Sequence, residues 1–165
     1  MRCKANALLE INHSFRQKAY VDWKYENLCN LVSSPPRARR GKGVRVAYRF
    51  TTKSLPELTH FYRKFYKNGK KIIPNDLKLN PLSLAVWFMD DGCKSYRAIY
   101  LNTQKFDFDS LVKLINLLKR DYDITARLNK DKKYYRLRIA VESVAKLRKV
   151  IEAYVLPSFK YKFPS

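Results

Sequence analysis

Residues 82–92 read LSLAVWFMDDG, an apolar run that closes on two adjacent carboxylates and a glycine. At helical spacing Leu82, Ala85, Val86 and Met89 form one stripe, while Leu84, Trp87 and Phe88 cover most of the remainder. A helix that is apolar nearly all round is expected to be buried on all sides. Asn80-Pro81 opens it, with Pro81 as the first helical residue, and Gly92 ends it. The pattern therefore predicts a central helix that delivers acids to one edge of the core.

Around this helix the pattern predicts alternating elements. Residues 5–13 read as a strand with partial alternation, and 16–32 as a helix with Tyr20, Trp23, Leu28 and Leu31 at helical spacing. Ser33-Ser34-Pro35-Pro36 ends that helix, and residues 37–43 (RARRGKG) read as a basic loop. Residues 44–52 alternate strictly. Val44, Val46 or Ala47, Tyr48 and Phe50 face the core, and Arg45 and Arg49 face the opposite side. Ser54 with Glu57 three residues on has the spacing of a capping box, for a helix running to about residue 67 and ending at Asn68-Gly69.

Residues 70–80 read as a linker, 96–101 as a strand, and 107–120 as a helix with Leu111, Leu114, Ile115 and Leu118 apolar. Residues 124–128 and 134–140 make a hairpin around the charged turn NKDKK. A helix at 142–154 and an irregular tail with Lys160 and Lys162 complete the chain. The fold class is α+β, organised as a first subdomain at 1–79 and a second at 80–165 that holds the acid-tipped helix.

Charge changes this picture. Thirty-five Lys and Arg oppose fourteen Asp and Glu, a formal net charge of +21 in 165 residues. Such an excess implies a polyanion, of which nucleic-acid phosphate is the common one. The basic residues spread along the whole chain rather than along one amphipathic helix, which argues against a membrane partner. No run of 18 apolar residues is present, and the N-terminus has no apolar signal-peptide core. Cys3, Cys29 and Cys93 are odd in number and widely spaced, as in reduced thiols of an intracellular protein. Arg45 and Arg49, and likewise Arg136 and Arg138, alternate with apolar residues. Strands with one cationic and one core face suit a β-platform in a DNA major groove. Arg37, Arg39, Arg40 and Arg127 extend these basic stretches.

Asp90 and Asp91 sit in the last turn of their helix, where acids oppose the helix dipole at a cost of a few tenths of a kcal/mol each. A compensating Mg²⁺ suits carboxylates. Adjacent helical side chains point about 100° apart, so one acid faces a metal while the other packs locally. The alternative is an ordinary acidic helix end before a glycine cap.

PLSLAVWFMDDG, with LNTQ at 101–104 and VLPSFKYKF at 155–163, resembles the second half of the LAGLIDADG homing endonucleases, in their two-motif, single-chain branch. SSPPRAR at 33–39 and KKIIPNDL at 70–77 are similar to that branch as well, and Leu84, Ala85, Asp91 and Gly92 match the motif consensus. The resemblance implies two motif helices packed at a pseudo-twofold axis, flanked by antiparallel β-saddles that lie in the major groove. It implies Asp91 as the catalytic metal-binding acid, with Asp90 a secondary neighbour, Lys71 and Lys162 as basic residues near the cleavage centre, and Gln104 on the DNA. It further implies Mg²⁺ or Mn²⁺ as cofactor, double-stranded DNA as substrate, and a bacterial cytoplasmic or organellar (mitochondrial or chloroplast) location rather than secretion. The alternative reading is a non-catalytic nucleic-acid-binding protein or an intron RNA maturase. A two-motif member carries its first motif upstream of ALLEINHS, so the sequence reads as N-terminally truncated. The counterpart helix is then expected from a missing N-terminal segment or from a homodimer.

Overall fold

The structure, a computed structural model, describes residues 1–3, 5–41 and 44–164. They form two compact units, Met1–Phe65 and Tyr66–Ser165.

The first unit holds a two-stranded ribbon, β1 (Arg2–Cys3) with β2 (Ala7–Leu8), and a three-stranded antiparallel sheet. In that sheet β3 (Glu10–Ser14) and β4 (Arg37–Arg40) flank β5 (Val46–Thr51). Helix α1 (Lys18–Leu28) covers one face, where Val21, Tyr48 and Phe50 are buried with Ile11, Tyr25, Leu28 and Val32 packed around them. Helix α2 (Pro56–Phe65) packs on the ribbon, with Thr59 Oγ1 accepting from the Ala7 amide at 2.8 Å.

Several local expectations change here. The strand expected at 5–13 breaks into β2 and β3, because the Leu9 amide donates to the Thr52 hydroxyl. Residues 37–40 form a strand rather than loop, because β5 offers them a pairing edge; Lys42 and Gly43 of the expected loop lie outside the described residues. Val44 is fully exposed, so the inward alternation begins only at Val46. The Ser54–Glu57 capping box does not form. Pro56 starts α2, and the Ser54 hydroxyl donates instead to the Asn6 carbonyl at 2.7 Å.

The second unit opens with a tight hairpin, β6 (Tyr66–Lys67) and β7 (Lys70–Lys71). Asn68 and Gly69 have φ of 50° and 73°, the left-handed pair that a two-residue hairpin turn requires. Asn68-Gly69 is therefore a strand turn and not a helix end. The compact units meet between residues 65 and 66, upstream of the 79/80 boundary read from the sequence, because residues 66–79 bond into the second unit. There the Ile73 amide donates to the Ser110 hydroxyl, and the Lys113 ammonium donates to the Ile73 carbonyl.

Helix α3 (Pro81–Asp91) is the acid-tipped helix, with the predicted start: the Asn80 side chain accepts from the Ser83 amide at 2.8 Å. It leads into β8 (Gly92–Ser95) and β9 (Ala98–Leu101), then α4 (Phe108–Tyr122), β10 (Ala126–Asp131), β11 (Tyr134–Ile139) and α5 (Val141–Ile151). The four strands form one antiparallel sheet in the order β10-β11-β9-β8. The residues expected as an irregular tail form a 3-10 turn, Pro157–Lys162. Phe159 and Phe163 are buried, and Phe163 stacks on Phe88 of α3 at 4.7 Å. Helix α3 is not buried on all sides. Leu84, Ala85, Phe88 and Met89 are buried, whereas Leu82, Ser83 and Asp90 are exposed on its outer stripe.

Gly92 is held by close approach. A Cβ there would lie 2.4 Å from the Phe88 carbonyl oxygen and 2.7 Å from the Phe88 ring. Gly92→Ala is expected to cost about 1–3 kcal/mol and to lower the urea midpoint without changing m. An unchanged midpoint would show that the end of α3 relaxes freely.

Candidate nucleic-acid interface and carboxylate site

Register decides which cations share a surface. In the first unit Asn12, Arg49 and Arg37 lie side by side across three strands, and Ser14, Ala47 and Arg39 form the next row of the same face. Arg40 pairs with Val46 and so falls on the opposite face, with Tyr48 and Phe50, apart from the arginines with which the sequence grouped it. Arg45 lies outside the strand, exposed, with its carbonyl accepting from the Gly41 amide. In the second unit Arg127, Arg138, Tyr100 and Cys93 form one row across the sheet, and Asn129 pairs with Arg136 in the row beside it. The intervening row of Leu128, Leu137, Leu101 and Gly92 faces the core. Each sheet thus carries a cationic face backed by an apolar one.

Acids reach these arginines from neighbouring elements. Glu10 bonds Arg49 at 3.2 Å, Asp131 lies 3.3 Å from Arg136, and Glu142 lies 3.9 Å from Arg127. Neither β5 nor β11 contains an acid of its own, so these partners come from other strands and from α5. On the helical side the acids are also paired. Lys119 and Lys146 both bond Asp123 and hold its carboxyl down at about 2, and Arg148 bonds Glu152 at 3.0 Å. Gln104 lies in the turn between β9 and α4, its amide 3.4 Å from the Asn102 side-chain oxygen.

The end of α3 is tied down from several directions. The Gly92 amide donates to the Phe88 carbonyl, and the Asn102 amide donates to the Asp91 carbonyl at 3.0 Å. Asp91 is half-buried and Asp90 exposed, so the two carboxylates differ in surroundings as their helical spacing requires. Lys71 stands exposed on β7, its ammonium 6.0 Å from the Phe106 ring.

Lys162 lies at the end of α3, near Asp90 and Asp91, and has a structural partner there. It is buried, and its ammonium donates to the Met89 carbonyl at 2.6 Å and lies 3.5 Å from the Phe88 carbonyl. It therefore caps the C-terminal carbonyls of α3, where a cation also complements the helix dipole. Burial pushes its pKa down, while the nearby Asp90, Cys93 and Asp91 act in the opposite direction. Sequence reasoning missed this cap because the two ends of the bond are 73 residues apart. Lys162→Met keeps the apolar stem and deletes the donor, leaving a buried carbonyl unpaired. A loss of about 1–3 kcal/mol is expected, and a melting temperature equal to wild type would contradict the capping role.

A helix buried along one side, its carboxylate tip and arginine-faced antiparallel sheets together define the class: an α+β protein of the homing-endonuclease fold. The chain belongs to the LAGLIDADG DNA endonuclease family, whose model matches residues 2–147. It is 31% identical over 137 residues to a cytochrome b mRNA maturase, bI2, of Debaryomyces hansenii, covering 81% of this chain and 52% of the maturase. The chain thus spans about half the length of that relative. It is 29% identical to a probable intron-encoded endonuclease of Wickerhamomyces canadensis, covering 98% of this chain and 76% of the relative. Among solved structures, the homing endonuclease I-WcaI bound to its DNA recognition sequence superposes with a TM-score of 0.89 at 26% identity, covering all of this chain and 80% of that one. I-DmoI in complex with DNA and Mn shares the fold at 13% identity, with a TM-score of 0.61 over 94% of this chain and 88% of that one.

Proposed function

We propose that the chain is a sequence-specific homing endonuclease that hydrolyses phosphodiester bonds of double-stranded DNA with a divalent metal ion. One observation carries this reading. A carboxylate at the end of a largely buried helix leads directly into the first strand of an arginine-faced sheet. The phosphate backbone on such a sheet would lie close to Asp91.

Among the described residues no group of three or more His, Cys, Asp or Glu side chains converges. Asp91 would supply a hard oxygen donor to a divalent ion, with the substrate phosphate as a further donor. Mg²⁺ or Mn²⁺ fits that division, since Mg²⁺ is commonly held by one or two carboxylates plus substrate phosphates. The bound ion supplies charge stabilisation at the phosphate. Lys162 holds the end of α3 so that Asp91 keeps its place, and the exposed Lys71 ammonium is available to a phosphate oxygen. The outer stripe of α3 is where a second acid-bearing helix would complete the site, from another copy of this chain or from a preceding segment.

The test is incubation with a plasmid carrying the host locus without its insertion, in the presence of Mg²⁺. Site-specific linearisation supports the reading. Specific binding without cleavage favours a second reading, a non-catalytic nucleic-acid-binding protein or intron RNA maturase. Similarity to the Debaryomyces hansenii maturase favours that second reading, and preferential binding of intron RNA over unrelated RNA of equal length would establish it.

A further inference from the structure

The arginines on the open face of the second unit's sheet are not equivalent. Arg127 is widely exposed and only loosely placed, 3.9 Å from Glu142. Arg136 is gripped. Its guanidinium carbon lies 4.9 Å above the Tyr100 ring, and its Nε lies 3.3 Å from Asp131 Oδ2. That Nε is buried and makes no hydrogen bond, and its side chain is only 27% exposed. Tyr100 pairs with Arg138, so Arg136 reaches diagonally across the sheet to rest on the ring. Nothing among the described residues bonds its terminal nitrogens, and the neighbouring Asn129 shares its row.

A carboxylate beside an arginine weakens its pull on a phosphate, because it cancels part of the local charge. It does not weaken an interaction that depends on direction. A guanidinium that sits over a ring and is ion-paired at Nε offers its two terminal donors as a fork with reduced rotamer freedom left to lose on binding. In a major groove that fork matches the O6 and N7 acceptors of guanine.

We propose that Arg136, clamped between Tyr100 and Asp131, reads a guanine and sets a G·C preference at one position of the bound duplex. This rests on the DNA-binding reading above.

The experiment is selection of bound duplexes from a randomised pool by the full chain, as wild type, Arg136→Lys and Asp131→Asn. The wild-type pool should fix one G·C position. Arg136→Lys keeps the charge but loses the fork, so preference at that position alone should fall about 5- to 150-fold, the range a good bidentate pair supplies. Asp131→Asn retains the arginine but removes the carboxylate paired with its Nε. It should raise overall affinity while weakening the same position, a split that a purely structural ion pair would not produce. It also carries the test should the lysine variant fail to fold. Unchanged preference in both variants, or a wild-type pool with no fixed G·C position, overturns the inference while leaving DNA binding intact. Absence of duplex binding by the wild type at low salt overturns the DNA-binding reading and this inference with it.

Discussion

Asp91→Asn is expected to abolish Mg²⁺-dependent strand cleavage while leaving affinity for DNA unchanged or improved. A metal ion at a phosphate contributes several kcal/mol of transition-state stabilisation. At about 1.4 kcal/mol per factor of ten, its loss lowers the rate by roughly 10²- to 10³-fold or more. Binding moves the other way, because the substitution removes a negative charge from a surface that receives phosphates. Asp91 is half-buried where α3 passes into β8, and its carbonyl is anchored by the Asn102 amide. Asp90 is exposed, about 100° away around the helix. Asp90→Asn should therefore slow cleavage far less. Single-turnover kinetics on a target duplex, with affinity measured in parallel in Ca²⁺, separate the two. Equal losses from both substitutions would contradict the assignment of a single metal-binding acid.

Affinity for duplex DNA is expected to collapse with salt. The chain carries a formal net charge of +21, and its two larger sheets carry Arg37, Arg39, Arg127 and the half-buried Arg138 on faces backed by apolar ones. Lys70 and Lys71 add an exposed basic hairpin. A protein that neutralises six to ten phosphates loses about 10³- to 10⁵-fold in affinity between 50 and 200 mM salt through counterion release. The acids Glu10, Asp131 and Glu142 beside three of the arginines place the slope toward the lower end of that range. A titration of dissociation constant against salt gives the slope directly. A flat response would sink the nucleic-acid reading as a whole.

What the sequence determined by itself was local. Asn80, Pro81 and Gly92 bound a helix whose 3.6-residue apolar pattern is strong enough to be read alone, and α3 runs from Pro81 to Asp91. The leucines at 111, 114 and 118 likewise mark α4, which Asp107 caps. The alternation of Val46, Tyr48 and Phe50 marks a half-buried strand. The family was legible because separate short motifs occur in the right order along the chain. The tertiary structure alone decided which distant groups meet. Residues 37–40 lack a strand signal of their own and become one because β5 provides a partner edge. Asn68-Gly69 suits a helix end or a hairpin turn equally well, and pairing of Lys67 with Lys70 selects the turn. Arg49 lies 39 residues from its acid Glu10, and Lys162 lies 73 from the carbonyl it caps. Periodicity records which face of an element is apolar. Register and packing choose the partner on that face, and a linear pattern carries no term for a partner seventy residues away.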